Sequence, residues 1–273
     1  MTVHIAGKLW DFDTPRIMGI LNVTPDSFYA DSRTKDEAAI CARAEQIVLE
    51  GAWMIDVGAY STRPGASEVS EEEELRRLDL ALSAVRKSLP EALVSVDTFR
   101  ASVARHCVES YGVALINDIS GGADPQMFAT VADLRVPYVL THPGCGEGVA
   151  PDDFRPSVAR FLAERLGELY DLGVADVILD LGFGFGKTVA ENYELMCHLG
   201  DYVRLFPDNP MLVGVSRKSM IYKTLDTTPD KALHGTTALH ALALQAGAAI
   251  LRVHDVQVAA DTIKVCQAVN FEL

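Results

Sequence analysis

Eight short apolar runs recur along the chain, and each ends at or near a residue that can hydrogen-bond or carry charge. They are RIMGILNV (16–23), WMIDVGAY (53–60), LVSVDT (93–98), ALINDIS (114–120), PYVLTH (137–142), VILDLG (177–182), MLVGVS (211–216) and AILRVHD (249–255). They are near-continuous rather than alternating, as expected of parallel strands whose outer face is covered. Segments of helical period lie between them. One runs from Thr34 to Gly51. Another opens with Ser70 and Glu73 at capping-box spacing, with acids in its first turn and Arg86 and Lys87 in its last. A third ends at Gly173, and VQVAADTIKVCQAV forms the last. Eight βα units within 273 residues predict a (β/α)8 TIM barrel built as one domain over 1–273. An open doubly wound sheet is the competing arrangement. The even strand spacing and the lack of a nucleotide fingerprint after the first strand argue against it.

In such a barrel the C-terminal ends of the strands share one rim, where the βα loops build the active site. Asn22, Asp56, Asp97, Asn117, His142, Asp180, Arg217, Lys218, Arg252 and His254 are all expected at or just past those ends. Asp56 suits loop anchoring as well as function. The long loops after the first two strands, 24–33 and STRPGASEVS, are expected to serve the site. The run DLGFGFGKT (180–188) fits neither nucleotide-loop spacing, since Leu181 and Lys187 stand where glycines would be needed. Its glycines are expected to allow close backbone packing beside Asp180.

Net charge is −14, with 24 Lys and Arg against 38 Asp and Glu, which disfavours non-specific nucleic-acid binding. An anionic substrate would need a local group of cations. No secretory signal opens the chain, and the apolar stretch ALHALALQAGAAILRV is too short and interrupted to span a bilayer. The five cysteines form no C-x-x-C pair and read as reduced, mostly buried thiols of a cytoplasmic protein.

The stretches GILNVTPDSF, IDVGAYSTRPGA, VSVDTFR, INDISGG, DLGFGFGKT, GVSRKS and RVHDV resemble, in order and spacing, the successive motifs of the dihydropteroate synthase family. The resemblance covers nearly the whole chain. It implies a folate-pathway TIM barrel that condenses 6-hydroxymethyl-7,8-dihydropterin pyrophosphate with p-aminobenzoate, requires Mg²⁺, forms a homodimer and is a sulfonamide target. Within it, Asp97, Asn117, Asp180, Lys218 and Arg252 are expected to bind the pterin, whose edge offers donors and a carbonyl. Asn22, Thr62, Arg63, Arg252 and His254 are expected to hold pyrophosphate, with the Asn22 amide oxygen as the protein's ligand to Mg²⁺. Thr62, Arg63, Pro64, Ser216 and Lys218 are expected around p-aminobenzoate. Asp97, Lys218, Arg252 and His254 form the catalytic set, and TPDSF is expected to close over it as a lid.

The chain departs from the family pattern in four places. THPGCGEG follows the fifth strand, which leaves His142 either structural or solvent-facing. YADS follows the first loop's Ser-Phe, Tyr60 replaces a common Glu, and Leu181 replaces a common Pro. A methyltransferase barrel of related pterin chemistry is disfavoured by STRPG, by the Arg252 and His254 pair and by the lack of a cobalamin module. A catalytically silent pterin-binding paralogue has only the altered loop to support it.

Overall fold

A computed structural model describes residues 1–23, 33–60, 69–144 and 151–269. TPDSF, YADS, Thr62, Arg63, Pro64 and Cys145 lie outside the described residues. The chain opens with an antiparallel pair, β1 (Thr2–Ile5) and β2 (Lys8–Asp11). The barrel follows, from β3 (Arg16–Asn22) through β4 (Met54–Gly58), β5 (Val94–Asp97), β6 (Leu115–Asp118), β7 (Tyr138–Thr141), β8 (Val177–Asp180) and β9 (Met211–Val213) to β10 (Ile250–Val253). All neighbours are parallel, and β10 closes the ring by pairing with both β9 and β3. All eight strands read from the sequence are present, each trimmed by a few residues. The open sheet is excluded by that closure.

The register explains why the runs look continuously apolar yet build a polar site. In a strand every second residue shares a face. Ile17, Ile55, Val94, Ile116, Tyr138, Leu179, Met211 and Leu251 face outward into the core shared with the helices. Met18, Met54, Leu115, Val139, Ile178, Leu212 and Ile250 face inward and fill the lower barrel. Two residues further along the inward face stand Asp56, Asn117, Thr141, Asp180 and Arg252. The interior therefore changes from apolar floor to polar rim within one step of the pleat.

The helix Glu71–Ser88 shows how the outer layer is seated. Leu78, Ala81, Leu82 and Val85 make its buried stripe. The Ser70 hydroxyl accepts from Glu73 N at 3.3 Å, a cap worth about 1 kcal/mol. Only half of the expected capping box forms, because the Glu73 carboxylate turns to Arg76 and Arg77. The complete reciprocal box belongs to Thr188 and Glu191, ahead of the helix Val189–Cys197. No described helix is long and apolar enough to cross a membrane. Of the four described cysteines, Cys107 and Cys266 are buried, Cys41 is half-buried and Cys197 is exposed, so the expected burial holds only in part.

The β1–β2 hairpin went unseen in the sequence because four residues are too few to show a period. Ala6 and Gly7 take φ of 49° and 75°, as a tight two-residue hairpin turn requires. Val3 and Ile5 pack under Met18, Met54 and Ile250 and close the floor of the barrel. Ile5→Ala is expected to lower stability by about 2–4 kcal/mol in urea denaturation while leaving substrate KM unchanged, because the deletion opens a cavity at the end away from the rim.

Candidate active site

At the rim, Arg252 on β10 crosses to two carboxylates. Its Nε donates to Asp56 at 2.6 Å and its Nη2 to Asp97 at 2.5 Å. Asp56 also accepts from Asn117 Nδ2 at 3.0 Å and from Ser95 Oγ at 2.7 Å. Asp56 is the middle residue of β4, fully buried, so it sits one step below the strand end expected for it. Burial lowers the proton affinity of the Arg252 guanidinium, but Asp56 and Asp97 outweigh it and hold the charge firmly. Burial raises the Asp97 pKa above the ordinary carboxylate range, against the pull of Arg252 and with help from Asp56 and Asp118.

Asp180 closes β8 and accepts from Gly182 N at 2.8 Å; burial raises its pKa, opposed first by Lys218. Lys218 follows β9, donates to the Phe183 carbonyl, and places its ammonium 4.1 Å from the Phe185 ring centroid. Burial lowers its pKa to about 8, against the pull of Asp180. The sequence-predicted pterin set is thus gathered in one place. A Cβ on Gly58 would come within 3.4 Å of Asn22 Oδ1 and 3.8 Å of Asp97 Oδ2. Those are ordinary contacts, and the Asn22 amide oxygen is a hard donor of the kind a cation such as Mg²⁺ takes. No group of three or more metal-ligating side chains occurs among the described residues.

His254 and Ser216 meet directly, with Nδ1 3.0 Å from the hydroxyl, and Ser216 also accepts from His254 N at 3.2 Å. Arg43 donates to the His254 carbonyl at 2.6 Å and fixes that stretch of backbone. Arg217 does not join the set. Its guanidinium is taken by both Asp255 oxygens, at 2.9 and 2.5 Å. Of the local cations that an anionic substrate would need, the described residues bring Arg252 and Lys218 together, facing Asp56, Asp97 and Asp180, while Arg63 lies outside them. His142 is structural, not solvent-facing. It is buried edge-on to Phe161 at 5.1 Å, and burial lowers its pKa to about 3. Tyr60 packs edge-on to Phe99 at 5.2 Å, and Leu181 is buried in the outer core.

The Gly-rich run is a brace. Gly182, Gly184 and Gly186 all have positive φ, and a side chain at Gly182 would run into the His142 carbonyl. Lys187 Nζ donates to the carbonyls of His142, Gly182 and Phe185 at 2.9, 2.9 and 3.1 Å. Asn192 accepts from Gly184 N at 2.6 Å. This loop presents both the Phe183 carbonyl that holds Lys218 and the peptide that holds Asp180. Sequence reasoning missed Lys187 and Asn192, although a lysine amid glycines signals a loop needing a donor. It also missed Asp118, which faces outward and takes Ser120 N, Gly122 N and Tyr138 Oη. A separate cavity of about 340 Å³, lined by Trp10, Trp53, Lys8 and Glu91, lies at the hairpin end and contains none of this polar set.

A polar ring at the C-terminal rim is where a (β/α)8 enzyme builds its active site, and residues 18–254 match the family model described as pterin binding enzyme. The dihydropteroate synthase of Haemophilus influenzae is 38% identical over 98% of both chains, and that of Escherichia coli is 37% identical over 98% of this chain and 96% of its own. The solved structure of the Xanthomonas albilineans dihydropteroate synthase with 4-aminobenzoic acid superposes with a TM-score of 0.88 at 39% identity, covering 98% of this chain and 97% of that one. The chain belongs to the dihydropteroate synthase family.

Lys187→Met is expected to remove the ammonium shared by the His142, Gly182 and Phe185 carbonyls, leaving Gly182 O with Phe185 N as its donor. Denaturation should show a loss of about 2–3 kcal/mol, and calorimetry a weaker affinity for pterin ligands, because the loop also positions Lys218.

Proposed function

We propose that the protein condenses 6-hydroxymethyl-7,8-dihydropterin pyrophosphate with p-aminobenzoate, giving 7,8-dihydropteroate and pyrophosphate. The observation that carries this is the convergence of Asp97, Asn117, Asp180, Lys218 and Arg252 at one rim, in a chain of this family. Asp180 and Asn117 supply acceptors for the amino and ring N–H edge of a pterin, and Lys218 donates to its carbonyl and ring nitrogen. A buried site with several such groups rejects analogues that would leave them unpaired.

The carbon–oxygen bond to pyrophosphate breaks first in this scheme, and the electron pair leaves with the pyrophosphate. The methylene is left cationic, and Asp97 stabilises it electrostatically. The neutral arylamine then forms the new carbon–nitrogen bond and loses a proton to solvent. The Asn22 amide oxygen would hold Mg²⁺, which when bound would supply charge neutralisation for the leaving group. Arg252 and His254 add donors there, and Thr62 and Arg63 are assigned beside them from the STRPG motif. Thr62, Arg63, Pro64, Ser216 and Lys218 are assigned to the arylamine. Competition by sulfonamides at that place, a homodimer and a cytoplasmic location complete the proposal. Dose–response inhibition and sedimentation equilibrium test the first two.

An assay for pyrophosphate release, dependent on both substrates and on Mg²⁺, tests the reaction; no release with soluble protein rejects it. Asp97→Asn is expected to cut kcat by about 100-fold while changing pterin Kd by less than about three-fold, and equal losses reject the cation-stabilising role. The pH profile of kcat/KM should have two limbs. Asp97 acts as the anion and its pKa is raised, so activity falls with decreasing pH at a higher pH than an ordinary carboxylate gives. Lys218 acts as the cation and its pKa is lowered, so activity falls as pH rises through about 8.

A further inference from the structure

Asp56 has no assigned contact with substrate, yet three side chains converge on it. Ser95 Oγ reaches one oxygen at 2.7 Å, while Arg252 Nε and Asn117 Nδ2 reach the other at 2.6 and 3.0 Å. It lies on the inward face of β4 beside Ser95 of β5 in the register, and it is fully buried. A carboxylate paired with a guanidinium accepts and does not donate. Asn117 must therefore turn its NH₂ toward Asp56. Its Oδ1, which accepts no hydrogen bond among the described residues, is then the atom left for a ligand. The same carboxylate grips Arg252 at Nε, the root of the guanidinium, so that Nη2 meets Asp97.

We propose that Asp56 is a positioning residue that sets the hydrogen-bonding character of the pocket: it makes Asn117 an acceptor beside the acceptor Asp180 and holds Arg252 against Asp97. The pocket thereby selects a heterocycle edge rich in N–H donors. This rests on the reaction proposed above. An amide in place of Asp56 can donate to Asn117 Oδ1 and turn the Asn117 NH₂ outward, so the pocket then meets a donor edge with a donor. The reciprocal exchange, Asp56→Asn with Asn117→Asp, restores an acceptor at 117 and keeps the interstrand hydrogen bond.

The test measures steady-state kinetics, calorimetric affinity for the pterin pyrophosphate and melting temperature on the full chain. Asp56→Asn is expected to raise pterin KM and Kd by about 30-fold while the aminobenzoate KM stays within about two-fold. The double variant should regain at least about ten-fold in pterin affinity. Ser95→Ala, which loosens Asp56 without removing it, should shift pterin affinity the same way by about three- to five-fold. A general structural role predicts a lower melting temperature with both KM values unchanged or equally altered and no recovery in the exchange; that result overturns the proposal. If Asp56→Asn does not fold, Ser95→Ala decides, and wild-type pterin affinity in that variant overturns it. An inactive wild-type protein overturns the reaction instead. An active wild type with unaltered pterin affinity in Asp56→Asn overturns this inference alone.

Discussion

A closed parallel barrel sends every second residue of each strand inward, and the site follows from that constraint. The inward positions are apolar below, at Met18, Met54, Leu115, Ile178 and Ile250, and polar one step above, at Asp56, Asn117, Asp180 and Arg252. Buried charge is tolerable only when paired and hydrogen-bonded. The barrel satisfies that condition by bringing Arg252 from the last strand against Asp56 and Asp97 from two early ones. The interaction that pairs this buried charge also joins strands far apart in sequence.

The mixed charge of the site bears on how it handles its substrates. Buried carboxylates outnumber the buried cations among the described residues, which favours a heterocycle with N–H donors and a cationic carbon over a bare anion. Nearer the edge of the rim, the Asn22 and Asp97 oxygens flank Gly58, and His254 lies on Ser216.

The strands, the rim and most candidate side chains were legible from local pattern. Apolar runs of strand length with a polar end require no knowledge of partners. Less legible were the roles. Asp56 and Asp97 both follow apolar residues in short runs, yet one lies in mid-strand and the other at a strand end, and only the register separates them. Asp118 follows Asn117 directly but faces the helices and ties a turn, because adjacent strand residues point to opposite faces. Arg217 precedes Lys218 and turns away to Asp255, with its backbone in the left-handed region.

The sequence by itself determined the eightfold βα rhythm, the location of polar residues at one barrel end and the resemblance to a pterin-binding synthase. These are properties of spacing and residue type, which a chain carries before it folds. Tertiary structure decided which way each polar group points, that Lys187 braces a loop and that His142 is sealed in the core. It also decided that Asn117 offers its carbonyl oxygen. Those outcomes depend on partners from other strands, and distances between such partners are fixed only when the barrel closes.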